Sequence, residues 1–179
     1  MTPVSSIIGL CGFSGTGKTR TCQSLIKDLE SNGIGICGFI SPAVFEESEK
    51  TAIKVRWLES NEEKVLMTLA SASSQVTFGK WQVFPETFDW INLKVDDLQG
   101  CQAYFCDEIG PLEVLEGKGW IKALNIVDER CCNLSVITFR PTLRDFFSQR
   151  YPEMTIFDLK GDGVERQVSQ LVKDIFGIG

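Results

Sequence analysis

A glycine-rich loop near the start of the chain constrains the fold more than any other segment. Residues 12–19 read Gly-Phe-Ser-Gly-Thr-Gly-Lys-Thr, which is the pattern G-x-x-x-x-G-K-[ST]. A short apolar run at residues 6–11 precedes the loop, and apolar residues with helical spacing follow it: Cys22, Leu25, Ile26 and Leu29. Strand, loop and helix in this order are the setting in which such a loop binds nucleotide phosphates.

The motif assigns a role to each part of the loop. Its backbone N–H groups converge on the phosphates, its lysine reaches the β- and γ-phosphate oxygens, and the hydroxyl that follows ligates Mg²⁺. We therefore predict that Lys18 takes part in catalysis and that Thr19 is a metal ligand. The predicted nucleotide-binding residues are Gly12, Phe13, Ser14, Gly15, Thr16, Gly17, Lys18, Thr19 and Arg20.

The net charge of the chain argues against some classes of binding partner. A net charge of −6 and a pI near 4.8 argue against a broad surface for nucleic acid or for an anionic membrane. No stretch approaches membrane-spanning length, and no basic region typical of a signal peptide precedes the first apolar run. We expect a cytoplasmic protein that binds a nucleoside triphosphate and neither nucleic acid nor membrane, with a protein partner left open.

Histidine and cysteine usage restricts the available chemistry. The chain has no histidine, which excludes Ser-His-Asp and Cys-His catalysis and argues against a zinc enzyme. Its 7 cysteines are an odd number without a C-x-x-C pair, and most lie in apolar runs. We predict that they are reduced thiols.

Strand and helix patterns alternate along most of the chain. This alternation predicts an α/β fold with a mostly parallel sheet, covered by helices on both faces, in a single domain over residues 1–179. Between residues 41 and 84 apolar and polar residues alternate with a period of two, which predicts an antiparallel hairpin section. Further strands are predicted at 34–40, 101–106, 134–139 and 155–158, and helices at 85–98, about 120–129, from 141, and from 164.

Two adjacent acids supply the second half of the predicted site. An apolar strand ends in Asp107 and Glu108, and a phosphate loop needs a carboxylate at a strand end for its Mg²⁺. Neighbouring strand residues point in opposite directions, so the two acids have different roles. We assign Asp107 to the metal and Glu108 to the activation of the water that attacks the γ-phosphate.

An arginine near the γ-phosphate would complete the catalytic set. Arg140 follows the strand predicted at 134–139, whose carboxyl end faces the nucleotide in such folds, and is our catalytic candidate. Arg144, Arg150, Lys80, Trp81 and Glu113 are further candidates, each with a structural alternative.

Four segments give the chain a resemblance to a known family. They are the loop at 12–19, Gly-Phe-Ile-Ser at 38–41, Phe-Gly-Lys-Trp-Gln-Val at 78–83 and Asp-Glu-Ile-Gly-Pro-Leu-Glu at 107–113. In these segments the sequence resembles the small P-loop nucleoside triphosphatases first described in thermophiles, which include the human cancer-related nucleoside triphosphatase. The resemblance implies a RecA-like fold and Mg²⁺-dependent hydrolysis of several nucleoside triphosphates.

The chain also departs from this family. Val44-Phe45-Glu46 stands where the family has Glu-Val-Arg, Pro111 replaces a family lysine, and a late Asn-Arg pair is missing near residues 159–162. The resemblance therefore implies a divergent member, and it carries over the phosphate chemistry better than base recognition.

Three functions remain open on the sequence. The first is hydrolysis of nucleoside 5′-triphosphates, ATP and GTP among others, to diphosphate and phosphate. The second is a small-molecule or nucleotide kinase with the same loop and an acceptor site. The third is a nucleotide-dependent regulatory module with slow hydrolysis.

Overall fold

The computed structural model describes residues 5–179, and their ten strands form one sheet. The strands are β1 (Ser6–Cys11), β2 (Ile36–Ile40), β3 (Ala43–Glu46), β4 (Glu49–Trp57), β5 (Glu62–Leu69), β6 (Thr77–Phe78), β7 (Trp81–Val83), β8 (Ala103–Ile109), β9 (Leu134–Phe139) and β10 (Thr155–Asp158). The helices are α1 (Lys18–Ser31), α2 (Pro85–Asp96), α3 (Pro111–Leu115), α4 (Ala123–Asp128), α5 (Arg144–Arg150) and α6 (Val164–Phe176), and a 3₁₀ turn spans Pro141–Leu143.

Five parallel strands form the half of the sheet that carries the phosphate loop. Their spatial order is β10-β1-β9-β8-β2, so β9 lies between the loop strand β1 and the strand β8 that carries the acids. The carboxyl ends of parallel strands lie at the same edge of a sheet. The loop after β1, the acids of β8 and the segment after β9 therefore meet at one edge.

The other half of the sheet is antiparallel. Strand β4 pairs with β2, and β5, β7 and β6 follow outward, while β3 pairs with β4. The predicted hairpin section at 41–84 is confirmed. The prediction of a mostly parallel sheet holds only for the five core strands, because the hairpin section extends the same sheet and makes it mixed.

Helices cover the core strands on both faces. Alternation along β8 divides its side chains: Ala103 and Phe105 pack in one apolar cluster with α1 and α6, and Tyr104 and Cys106 pack in another with α2, α4 and α5. This agrees with the period-two rule for strands. Among residues 5–179, no helix combines the length and apolar character needed to cross a bilayer.

Several element boundaries differ from those predicted. Strand β8 continues through the acids to Ile109, because Ile109 still pairs with Phe139 after a register shift. Helix α4 is shorter than the predicted 120–129, and β3 and α3 were not predicted. The first helix ends at Ser31, and Gly33 follows it with a φ of 73° in the left-handed region.

The prediction that all cysteines are reduced thiols is wrong for two of them. Cys37 and Cys101 form a disulfide, with their Cα atoms 6.0 Å apart. The physical reason is strand order: β2 and β8 are neighbours, which brings together cysteines 64 positions apart in the chain. The other five cysteines are free thiols.

Candidate functional site

The phosphate loop leaves β1 and enters α1 with its lysine folded back over it. Lys18 Nζ donates to the carbonyl oxygens of Gly12 and Phe13, at 2.8 and 2.9 Å, and the side chain is almost fully buried. A Cβ at Gly12 would overlap Thr16 Oγ1, and Gly17 has a φ of 93°. Glycine at these two positions is what allows the loop to close so tightly.

Asp107 lies fully buried and accepts hydrogen bonds from three separate segments of the chain. Thr19 Oγ1 donates to its Oδ2 at 2.7 Å, the backbone N–H of Ser41 donates to the same oxygen at 3.1 Å, and Thr138 Oγ1 donates to Oδ1 at 2.6 Å. Burial raises the pKa of the Asp107 carboxyl, and these three donors oppose that rise. The carboxylate is thus held rigidly beside the loop.

Glu108 contacts Lys18 of the phosphate loop and Arg140, which follows β9. Its Oε2 lies 3.4 Å from Lys18 Nζ, and its Oε1 accepts a 3.0 Å hydrogen bond from Arg140 Nε. The side chain is 29% exposed, in contrast to the buried Asp107. The two acids have different partners and different access to water, which suits them to different roles.

The structure therefore brings together Lys18, Thr19, Asp107, Glu108 and Arg140, which the sequence distributes over more than a hundred positions. The tip of the loop, formed by Phe13, Ser14 and Gly15, is exposed.

Arg20 stands apart from this group. It is 78% exposed and pairs with Glu165 of α6 at 3.3 Å, while its guanidinium lies against Gly17. Its predicted contact with nucleotide stays a prediction.

The further candidates are mostly engaged elsewhere. Arg144 pairs with Asp158 at 3.8 Å, and Arg150 pairs with Asp128. Glu113 accepts backbone hydrogen bonds from Gly110 and Trp120, at 2.8 and 3.2 Å, and so organises the segment after β8. The Trp81 ring has Lys50 and Lys80 on it, with ammonium-to-centroid distances of 5.6 and 5.4 Å.

Three residues at the site were missed by sequence reasoning about side-chain roles. Ser41 and Thr138 hold Asp107, and a polar residue at the end of a core strand is the only signal for either. Lys50 of β4 is half-buried; burial lowers its pKa, and the charges of Glu108, Arg140 and Lys18 act on it. The segment just before it, residues 46–49, is rich in glutamate, which is typical of a solvated hairpin.

Two relatives are similar to this chain in sequence. A 30% identical stretch of 105 residues matches the nucleoside-triphosphatase THEP1 of Sulfurisphaera tokodaii, and a 27% identical stretch of 108 residues matches that of Methanocaldococcus jannaschii. Each match covers 59% of this chain and 61% or 62% of the relative, so less than two thirds of the relatives' length is matched.

Two solved structures share the fold. One is the solution structure of a human cancer-related nucleoside triphosphatase, with a TM-score of 0.75, 16% identity and coverage of 97% of this chain and 98% of the other. The other is THEP1 from Aquifex aeolicus, with a TM-score of 0.64, 21% identity and coverage of 93% and 99%.

A protein-family model described as NTPase matches residues 7–160, which is most of the chain and includes the phosphate loop, both acids and Arg140. The chain belongs to this NTPase family.

Proposed function

We propose that the protein is a Mg²⁺-dependent nucleoside triphosphatase that releases nucleoside diphosphate and phosphate. The observation that carries this proposal is the junction of loop and acids: Thr19 contacts Asp107 at 2.7 Å and Lys18 contacts Glu108 at 3.4 Å. A phosphate-binding lysine, a buried carboxylate and a water-accessible carboxylate within one site are the parts that this reaction needs.

The order of the core strands supports the proposal. One strand, β9, separates the loop strand β1 from the acid-bearing strand β8, an order that supports a RecA-like core. All ten strands join one sheet, which supports a single domain over residues 1–179. The cytoplasmic location and the expectation that neither nucleic acid nor membrane is a partner stay predictions.

Thr19 and Asp107 suit Mg²⁺ as ligands. Both offer hard oxygen atoms, which Mg²⁺ prefers, and their oxygens already lie side by side. Among residues 5–179, no lysine or arginine nitrogen lies within 4.0 Å of the buried Asp107 carboxylate, so a bound cation would supply its missing counter-charge. When bound, Mg²⁺ neutralises charge that develops on the β- and γ-phosphate oxygens.

The protein's own groups perform the remaining steps. The loop N–H groups bind the phosphates, and Lys18 exchanges the carbonyl oxygens of Gly12 and Phe13 for phosphate oxygens. Arg140 holds Oε1 of Glu108, and Oε2 can orient water once Lys18 Nζ turns from it to the phosphate oxygens. As water attacks the γ-phosphorus, Glu108 accepts its proton and the nucleoside diphosphate leaves.

Residues outside the phosphate loop, as well as Lys18 within it, can supply positive charge to the bound phosphates. Lys18 and Arg140 both contact Glu108, whereas no carboxylate oxygen lies within 4.0 Å of Lys50 among residues 5–179. We therefore assign Lys50 to the neutralisation of phosphate charge, the task for which the family's arginine is missing at residues 44–46.

The alternatives have less support. A kinase usually carries an arginine-rich lid over the phosphates, and the segment from Arg140 to Arg150 is where the chain offers one. Arg144 and Arg150 instead pair with Asp158 and Asp128. This favours water as the acceptor.

Phosphate release by purified protein tests the proposal. The protein is mixed with Mg²⁺ and each ribonucleoside or deoxyribonucleoside triphosphate, with no acceptor and no second protein. Release of phosphate with every turnover, abolished by a chelator, is the expected result. Negligible release unless an acceptor or partner protein is added contradicts it and points to the kinase or the regulatory module.

A further inference from the structure

Three cysteines converge at the edge of the sheet opposite the candidate site. Cys37 is the second residue of β2, while Cys101 and Cys132 each lie two positions before β8 and β9. These three strands are adjacent and parallel, so their amino ends meet at one edge. The phosphate loop lies at the carboxyl ends, and the cysteine cluster is therefore a separate site.

The sulfur atoms of this cluster are close enough to share one ligand. All three Sγ atoms lie within 4.8 Å of one another, and the Sγ atoms of Cys101 and Cys132 are 3.6 Å apart. Cys37 and Cys132 are buried, and Cys101 is half-buried, which leaves one side open to solvent. A disulfide joins only Cys37 and Cys101, so the thiol of Cys132 has no covalent partner there.

Two backbone hydrogen bonds and one to a glutamine side chain hold the three segments together. The N–H of Gln102 donates to the carbonyl of Gly35 at 3.1 Å, and the N–H of Gly35 donates to Gln102 Oε1 at 2.7 Å. The N–H of Leu134 donates to the carbonyl of Gln102 at 3.0 Å. Each cysteine lies within two positions of one of these residues, so hydrogen bonds as well as the disulfide hold the three cysteine-bearing segments next to one another.

We propose that Cys37, Cys101 and Cys132 of the reduced protein bind one thiophilic cation of the Zn²⁺ type, and that the disulfide is the alternative, metal-free state. Zn–S bonds of about 2.3 Å place the sulfurs of a tetrahedral site about 3.8 Å apart. The separation between Cys101 and Cys132 already matches this spacing. The bonded sulfurs of Cys37 and Cys101 have to separate, and water can take the fourth position.

The two states interconvert by balanced chemistry. A dithiol or phosphine reductant supplies two electrons, and two protons from water complete the conversion of the Cys37–Cys101 disulfide to two thiols. Each of the three thiols then releases its proton when its sulfur binds the cation. Because the thiols must lose their protons to bind the cation, the metal binds more tightly as pH rises.

Zinc retention by the full chain tests the proposal. The protein is reduced with a phosphine under nitrogen, incubated with Zn²⁺, desalted and analysed for metal by mass spectrometry. We expect about one Zn²⁺ per chain after reduction and almost none when the disulfide is intact. Replacing Zn²⁺ by Co²⁺ in the reduced wild type adds a spectroscopic measurement, because thiolate ligands give cobalt a characteristic charge-transfer absorption. This measurement tests for thiolate ligands without any substitution in the protein.

Two matched variants test Cys132 as a ligand. Cys132→Ser should lose the retained zinc and the cobalt–thiolate absorption, whereas Cys131→Ser removes an exposed neighbouring thiol and should retain both. Circular dichroism checks that each variant is folded. The proposal is overturned if the reduced wild type retains no zinc or gives no thiolate absorption. It is also overturned if Cys131→Ser loses as much metal as Cys132→Ser.

Discussion

Thr19 Oγ1 donates a 2.7 Å hydrogen bond to Oδ2 of Asp107, although the two residues are 88 positions apart in the chain. This contact joins the phosphate loop to the acid-bearing strand, across the intervening strand β9. Because a hydroxyl and a carboxylate from two elements meet here, the site can be tested residue by residue.

Lys18→Ala should abolish nucleotide binding and turnover together. The ammonium is the buried cation of the loop, and without it neither the phosphates nor the acidic residue beside it are neutralised. Binding is measured by titration calorimetry and turnover by phosphate release. Lys27→Ala, an exposed lysine of the same helix, is the control and should behave like the wild type. Wild-type affinity in Lys18→Ala would contradict the role of the loop.

Glu108→Gln should retain nucleotide binding while hydrolysis falls by about 10²–10⁴-fold. Glutamine keeps the shape of the side chain and its acceptor for Arg140, but it cannot take a proton from water. Pre-steady-state phosphate release separates this defect from slow product release. Glu116→Gln, an exposed glutamate nearby, should leave the rate unchanged. Unaltered turnover in Glu108→Gln would show that another group is the base.

Arg140→Ala should lower kcat by roughly 10²–10³-fold with a smaller effect on KM. Its guanidinium orients Glu108 through the 3.0 Å hydrogen bond from Nε. Arg166→Ala, on the exposed face of α6, is the control. A comparable rise in KM with an unchanged kcat would mean that Arg140 serves binding alone.

Lys50→Ala should lower kcat by on the order of tenfold, because it removes a half-buried charge within electrostatic range of Glu108 and Arg140. Lys50→Arg should restore part of the rate. Lys64→Ala removes an exposed lysine of the neighbouring strand β5 and should have no effect. If Lys50→Ala and Lys64→Ala have the same rate, Lys50 lies outside the catalytic machinery.

Glu113 should make stability depend on pH. Burial raises its pKa above the ordinary 4.5, and the N–H donors of Gly110 and Trp120 oppose this rise. A raised pKa in the folded state gives a stabilising contribution that is fully present below the ordinary pKa. That contribution is lost as pH rises through the raised pKa.

The test compares wild type with Glu113→Gln by urea unfolding at a series of pH values. The stability of the wild type relative to Glu113→Gln should fall from pH 4.5 upward and then level off. Glu116→Gln, which changes an exposed side chain, should show no such trend. A constant difference between wild type and Glu113→Gln across this range would contradict the assignment.

The sequence by itself determined the elements whose signals are local. The loop at 12–19 follows from its glycine spacing, the hairpin section from its period of two, and strands β9 and β10 from apolar runs whose predicted bounds are exact. The acids were assigned from their position at the end of a strand. All these signals depend on residues close together in the chain. At that range the backbone geometry of a helix, strand or loop alone determines which spacing of glycine or apolar residues it requires.

Only the tertiary structure decided which distant residues meet. The order of the strands brings Ser41 and Thr138 to Asp107, brings Arg140 to Glu108, and joins Cys37 to Cys101. The fold also extends the parallel core by the antiparallel hairpin section and so gives a mixed sheet. Contacts of this kind depend on which strands become neighbours, and that depends on packing of the whole chain rather than on any local pattern.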